Sequence, residues 1–258
     1  MNIVTSADDF GYDEDTTERT IACFEDGILT GASIMANMPA TERAADYARA
    51  RPELCFGAHL VFCTDTVEKP LCDPRLIPAI TAPGGSFLPS NRVRLLGLMG
   101  RIPPAQVAAE ATAQLSRLSD LGVKVRYVDS HGHLHKIPCF QRALAEILPR
   151  FNIRAVRLAQ NVFLETAGFR PMSYLYPMFN GGLRRRFATT AHFYMPETDG
   201  ATNWPRALLQ RLPQLNGTIE VGVHPGRATG WRASEERDIR RFVAAARAAG
   251  HRVLPLLH

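Results

Sequence analysis

Three histidines, His131, His133 and His135, occupy alternate positions directly after an apolar run that ends at Val128. Side chains two residues apart share a face of an extended chain, and side chains four apart share a face of a helix. Neighbouring histidines can therefore reach one cation in either geometry. Imidazole nitrogen with carboxylate oxygen suits a borderline metal such as zinc, without excluding other divalent ions. The pattern favours a metal site over three purely structural histidines.

Two adjacent carboxylates, Asp8 and Asp9, follow the apolar run that begins at Ile3. Adjacent carboxylates repel each other unless a cation or a difference in function holds them together. An aspartate at this position can also cap the following helix, so the pair has a structural explanation as well. Of the two explanations, a functional site is favoured.

Single histidines end two other apolar runs, at His59 and at His224. Taken alone, His59 is better explained as a buried histidine bonded to a backbone carbonyl. His224 precedes Pro225 and Gly226, and stabilising a turn is as good an explanation as chemistry. Together with the adjacent carboxylates and the histidine triplet, however, they place Asp or His at the ends of four predicted strands. The joint pattern indicates one shared site.

Apolar runs alternate with amphipathic segments along most of the chain, which predicts alternating strands and helices. The predicted strands are Ile3–Ala7, Ala32–Met35, Cys55–Val61, Val125–Asp129, Ala155–Leu158, Ile219–Val223 and Val253–Leu256. The predicted helices are Thr16–Glu25, a helix capped by Thr41 and running to about Arg51, Ala105–Leu121, Phe140–Phe151, Pro205–Leu212 and Ser234–Ala249. This order favours an α/β fold with about seven parallel strands, closed into an irregular (β/α) barrel whose strand carboxyl ends carry the chemistry.

One domain covering residues 1–258 is expected, because the chain is 46% hydrophobic and has no polar linker or low-complexity tract. Two stretches rich in turn residues, near 62–104 and 160–190, are predicted to be insertion loops. Their apolar residues are interpreted as core in preference to a cover for a lipid group attached to a substrate; the residues are Leu95, Leu96, Leu98, Met99, Tyr174, Leu175 and Tyr176.

Charge and cysteine content narrow the class of protein. The net charge of +5 is modest, and the basic run Arg184–Arg186 is interpreted as solvated surface rather than a patch for an anionic substrate or a membrane surface. No nucleic-acid module is recognisable. The five cysteines include no C-x-x-C pair, which argues against a disulfide framework or a thiolate zinc site. With no signal-peptide pattern and no stretch able to span a bilayer, a cytoplasmic protein without stable membrane insertion is expected.

Four segments in order resemble the YdjC-like carbohydrate deacetylases, a family that includes chitooligosaccharide and hopanoid-associated deacetylases. The segments are Ala7–Gly11, Gly57–Leu60, Asp129–His135 and Val223–Pro225. The resemblance covers nearly the whole chain, and the departures lie mostly in the two insertions. It implies a TIM-like barrel hydrolase of carbohydrate metabolism that removes the N-acetyl group from an N-acetylated amino sugar and releases acetate, and it makes a homodimer a candidate assembly.

The resemblance also implies roles for individual residues. One divalent metal ion, zinc or magnesium, would be bound by Asp9, His59 and His131, with Asp8 as catalytic base and His224 as general acid. Two residues, Arg157 and His192, would lie at the substrate. Three would support the ligands from behind, Asp129, His133 and His135, although His135 is also a rival to His131 for the metal.

Two other functions stay open from the sequence. One is a metal-containing, non-catalytic sugar-binding protein, and the other is an amidohydrolase acting on a non-sugar amide. A glycoside hydrolase is disfavoured, because its two carboxylates would have to flank the scissile bond, whereas Asp8 and Asp9 are neighbours and the histidines would be idle.

Overall fold

A computed structural model describes residues 1–164, 174–197 and 203–255. Within these ranges the strands are β1 (Asn2–Phe10), β2 (Gly31–Ile34), β3 (Cys55–Leu60), β4 (Tyr127–Ser130), β5 (Ala155–Val156), β6 (His192–Tyr194), β7 (Thr218–Val223) and β8 (Arg252–Val253). The helices are α1 (Glu14–Glu25), α2 (Thr41–Ala50), α3 (Ser90–Leu98), α4 (Pro104–Asp120), α5 (Pro138–Ile147), α6 (Tyr176–Arg186), α7 (Trp204–Arg211) and α8 (Gly230–Ala248).

The strands form one parallel sheet in the order β5-β4-β3-β2-β1-β7-β6, and β8 pairs with the start of β1. The sheet curls into a half-barrel surrounded by helices, which confirms the predicted α/β class and the irregular barrel. A bridge between Ala155 and Ala188 extends the pairing of β5 beyond the strands. Because all strands run in parallel, their carboxyl ends lie at one edge of the sheet, where the predicted site residues follow them.

Seven of these strands match the predicted ones, with ends that differ by a few residues. The short strand β6 is additional, and the last predicted strand extends to Leu256, which lies outside the described residues. Thr41 is the first residue of α2 rather than its cap, because its hydroxyl is occupied by the preceding turn: it donates to the carbonyl of Met35 and accepts from the amide of Met38.

The two stretches predicted as loops contain helices α3 and α6, so the prediction of irregular chain was wrong there. Helix α6 includes Gly181 and Gly182, which are typical of loops in a sequence. The structure explains Gly182: a Cβ at this position would lie 2.3 Å from Oε1 of Gln141 on α5, so a larger residue would push aside the Gln141 amide, which donates to the carbonyls of Lys136 and Phe179.

Several apolar residues of these stretches are exposed, which contradicts their assignment to the core. Leu95 is 58% exposed, Met99 51% and Tyr174 73%, because α3 and the start of α6 lie on the surface. None of the helices in ranges 1–164, 174–197 and 203–255 has the length and apolarity needed to cross a membrane.

Side chains inside the curled sheet form layers. The lowest layer is apolar and includes Val4, Cys55, Tyr127 and Ala155. Above it, toward the carboxyl ends, the interior becomes polar: Ser6, Asp8 and other charged or hydroxyl side chains are buried. A folded chain buries such groups mostly when they are paired, so these side chains must find hydrogen-bond or ionic partners at this end of the barrel.

Candidate active site

The carboxylates of Asp8 and Asp9 both lie toward the interior of the barrel, although the two residues are neighbours on a strand. Successive strand residues normally point to opposite faces. Here the register between β1 and β2 shifts between Ala7 and Phe10, and Asp9 has a left-handed φ of 60°. Aspartate tolerates this conformation better than most residues. The irregularity brings both carboxylates close to His59, at the end of β3.

Asp9, His59 and His131 converge as the sequence predicts. Oδ1 of Asp9 lies 3.4 Å from Nε2 of His59 and 3.4 Å from Nδ1 of His131. One potential ligand atom from each residue lies within 4.8 Å of the others. Two imidazole nitrogens and a carboxylate oxygen are a donor set that suits zinc and other divalent ions, so the residues fit a metal ion.

The other nitrogen of each imidazole is held by a carboxylate. Nδ1 of His59 lies 2.7 Å from Oδ1 of Asp129, and Nε2 of His131 lies 3.1 Å from Oδ2 of Asp65. Such contacts fix the ring orientation and the tautomer of metal-binding histidines. Asp129 was predicted in this role. Asp65 was missed, because nothing in the sequence shows that the chain after β3 folds back over His131.

Asp9 and His131 form a charged pair even without a cation. Burial opposes ionisation of Asp9, but the hydrogen bond from His131 and the charges of His224, His131 and His59 hold the pKa of Asp9 well below its usual range. Burial likewise opposes protonation of His131, but its hydrogen bonds to Asp65 and Asp9 raise its pKa to about 10. A metal ion would therefore have to displace a proton from His131.

Asp8 is held from beneath by Arg157. Nη1 of Arg157 lies 2.7 and 2.8 Å from the two carboxylate oxygens of Asp8, and the guanidinium also contacts Asp129 and Glu220. Arg157 is 2% exposed. Its hydrogen-bonding groups face this network rather than the outside, so the structure gives no support to the predicted substrate contact and places Arg157 as the partner of Asp8.

His224 lies beyond the end of β7, beside α8. Its Nδ1 lies 3.1 Å from Oε2 of Glu235, which also accepts from the His224 amide. Burial disfavours the charged ring, but Glu235 and the charges of Asp9 and Asp8 raise the pKa of His224. The ring also packs edge-on against Trp231 at 5.3 Å between centroids. His224 thus has the environment of a proton donor.

Arg232, in the first turn of α8, contacts the other oxygen of Asp9. Its Nη2 donates to Oδ2 across 2.6 Å, and the guanidinium lies over the ring of Trp231 at 4.6 Å. Neither Arg232 nor Glu235 was identified from the sequence. The predicted helix began at Ser234, so the first turn that carries Arg232 was not recognised.

The remaining predicted residues lie apart from the Asp9 group. Among the residues that the structure describes, no cluster of potential ligands includes His133 or His135. His135 is buried against Ser130, which bonds its Nδ1 at 3.0 Å. The ring of His133, whose backbone has a φ of 53°, lies 6.3 Å from that of His135. Among the hydrogen bonds of the described residues, neither ring is bonded to Asp9, His59 or His131. These contacts therefore do not show the supporting role that was predicted for the two histidines.

His192 lies at the amino-terminal ends of the strands, whereas the site lies at their carboxyl ends. It is the first residue of β6 and pairs with Ile219, which in turn pairs with Ile3 of β1. Asp8 is five residues further along β1, or roughly 16 Å at the usual strand rise. The predicted substrate contact is therefore contradicted by this placement: His192 lies where its strand begins, whereas the site lies where the strands end.

Comparison with known proteins assigns this chain to a family. The model of the YdjC-like protein family matches residues 2–254. The chain belongs to the YdjC-like family. A carbohydrate deacetylase from Geobacillus stearothermophilus is 33% identical over 180 residues, which are 69% of this chain and 67% of that protein. A carbohydrate deacetylase from Brevibacillus brevis is 28% identical over 153 residues, 59% of this chain and 58% of the relative.

The fold of this YdjC-like chain is shared with a protein of known structure. A crystal structure of an Enterococcus faecalis protein described as a cellobiose-phosphate cleavage protein superimposes with a TM-score of 0.77, covering 98% of this chain and 97% of the other. The sequence identity is 18%, so the likeness shows the common fold alone.

Proposed function

We propose that the protein is a metal-dependent carbohydrate deacetylase that hydrolyses the N-acetyl group of an N-acetylated amino sugar. The observation that carries the proposal is the convergence of Asp9, His59 and His131 beside a second carboxylate, Asp8, and a protonatable histidine, His224. Family membership and the curated relatives named carbohydrate deacetylase supply the substrate class.

Asp9, His59 and His131 would hold the metal ion, for which zinc and magnesium are the candidates. When bound, a divalent cation polarises the acetyl carbonyl and makes a water molecule more acidic. Asp129 and Asp65 keep the two imidazoles oriented, and Arg232 holds the second oxygen of Asp9 so that the first faces the histidines.

Asp8 is the residue that we assign as general base. An amide is a weak electrophile, so the attacking water must lose a proton as its oxygen bonds to the acetyl carbon. Arg157 donates to both oxygens of Asp8 and thereby fixes the position of the carboxylate. Asp8 also lies close to His59, on the same side of the barrel as the ligand cluster.

His224 is the residue that we assign as general acid. Cleavage of the C–N bond leaves electrons on the sugar nitrogen, and an amine anion is too basic to depart without a proton. Glu235 binds Nδ1 of His224, which leaves Nε2 to deliver that proton. The products are acetate and the free amino sugar, and return of the Asp8 proton to His224 through solvent restores both groups.

Acetate release tests the proposal. The protein is stripped of metal and resupplied separately with zinc, magnesium, cobalt or nickel, and each form is given N-acetylglucosamine oligomers, glycolipids and nucleotide sugars. Metal-dependent release from one sugar class is the expected result.

Failure would take two recognisable forms. Sugar binding without acetate release by folded, metal-loaded protein would favour a non-catalytic binding protein. Release from simple N-acetylated amides, but from none of the sugars, would favour an amidohydrolase with a non-sugar substrate.

A further inference from the structure

His131 belongs to two groups of potential metal ligands. The inner set is Asp9, His59 and His131, described above. The outer set is Cys63, Asp65 and His131, whose potential ligand atoms also lie within 4.8 Å of one another. The nitrogen that faces the outer set is Nε2, 3.1 Å from Oδ2 of Asp65, whereas Nδ1 faces Asp9.

The outer set is organised by a buried carboxylate. One oxygen of Glu68 accepts hydrogen bonds from the hydroxyl of Thr64 and from the amides of Asp65 and Thr66. Its other oxygen lies 4.0 Å from Nε2 of His131. Glu68 is 2% exposed, so the chain that carries Cys63 and Asp65 is fixed in place before any ion arrives.

The donor chemistry of the two sets differs. The inner set offers only nitrogen and oxygen, whereas the outer set adds the sulfur of Cys63, which is fully buried. Thiolate ligands select soft or borderline ions, and a coordinating thiol loses its proton. The negative charges of two carboxylates, Asp65 and Glu68, favour binding of a cation here. The positive charge of Arg94 opposes it, because its guanidinium lies nearby and donates to the carbonyl of Gly132.

We propose that Cys63, Asp65 and Nε2 of His131 form a second cation site, which takes thiophilic divalent ions and competes with the inner set for His131. The competition follows from the imidazole, because a neutral ring offers one lone pair and keeps a proton on its other nitrogen. An ion in the outer set therefore removes a ligand from the inner set. The cysteine spacing argues against a thiolate zinc site, but that argument concerns paired thiolates and does not apply to a single thiolate among carboxylates and imidazole.

Cadmium titration of the reduced, metal-stripped full-length protein tests this site without reference to catalysis. The measurement is the near-ultraviolet absorption of a thiolate-to-cadmium charge transfer. We expect the wild type to develop this band and Cys63→Ser to lose it. Asp65→Asn should reach the same absorbance only at a cadmium concentration that is about tenfold higher or more. Cys72→Ser is the matched control, because Cys72 is outside both sets, and it should keep the band.

His59→Ala separates the two sets, because it removes an inner ligand and leaves the outer set intact. It should keep the band. Absence of the band in the wild type, its persistence in Cys63→Ser or its loss in His59→Ala would each overturn the proposal. Since no substrate is present, these results are independent of whether the protein is a deacetylase, and circular dichroism of each variant checks that it is folded.

Discussion

Oδ1 of Asp129 lies 2.7 Å from Nδ1 of His59, so the carboxylate at the end of β4 fixes the imidazole at the end of β3. The contact turns Nδ1 toward Asp129 and leaves Nε2 facing Asp9. Parallel pairing sets the alignment, because His59 and Asp129 are direct partners in the register of the two strands. The proposed metal site therefore depends on strand register as well as on the identity of its ligands.

Replacing Asp129 with asparagine should weaken metal binding by about 10- to 100-fold, the range typical of such supporting partners. Asparagine keeps the shape but loses the charge that orients His59. The measurement is metal affinity by competition with a chromogenic chelator.

Glu220→Gln is the matched control for this change. Glu220 is another buried carboxylate bonded to Arg157, but it has no contact with His59 among the hydrogen bonds of the described ranges. If both variants lost metal affinity equally, the loss would come from disturbing Arg157 and not from the imidazole contact.

Asp8→Asn should lower kcat by about 10²- to 10⁴-fold, because the attacking water loses its base. Metal affinity should stay within about threefold of the wild type, since Asp8 is not part of the inner set. Acetate release and chelator competition measure the two quantities separately. Asp46→Asn, on the exposed face of α2, controls for the loss of a carboxylate. Parallel loss of metal and activity would show that Asp8 is a ligand or a structural residue.

The pH dependence of kcat/KM should report His224. Its pKa is raised in the fold, and a general acid acts in its protonated form, so activity should be present below that pKa and fall as the pH rises through it. Glu235→Gln removes the carboxylate that favours the charged ring and should move the alkaline limb to lower pH. A bound cation affects the wild type and the Glu235→Gln variant alike, so the difference between their pH profiles reports the effect of Glu235. An unmoved limb would assign the titration to another group.

The site residues that could be predicted from the sequence are those at the carboxyl ends of strands. Asp8, Asp9, His59 and His224 are recognisable because each follows an apolar run, and parallel strands bring their carboxyl ends together. The left-handed φ of Asp9, which turns its carboxylate toward His59, has no signal in a sequence of strand-forming residues.

The part that could not be predicted comes from helices and loops. Arg232 reaches Asp9 from 223 positions further along the chain, and Asp65 reaches His131 from a stretch predicted as an irregular insertion. These contacts depend on how α8 and that stretch pack against the barrel, which local periodicity does not specify. His192 illustrates the opposite error, since a motif does not reveal at which end of its strand a residue lies.

His192→Ala tests this correction. Because His192 lies at the amino-terminal edge of the sheet, the substitution should leave KM and kcat within about twofold of the wild type. Steady-state kinetics with the best sugar of the acetate assay provide the measurement, with Ala191→Gly as a neighbouring control at the same edge. A large rise in KM without loss of stability would mean that substrate reaches this edge after all.

Arg157→Met should destabilise the fold by roughly 3–5 kcal/mol, the cost of removing one partner from a buried ion network. Three buried carboxylates, those of Asp8, Asp129 and Glu220, would lose their common cation, and methionine fills the space without replacing its charge. Urea unfolding gives the free energy, and Arg184→Met, a surface change, should shift it by less than about 0.5 kcal/mol. Unchanged unfolding with a raised KM would instead restore Arg157 to the substrate-binding role expected from the sequence.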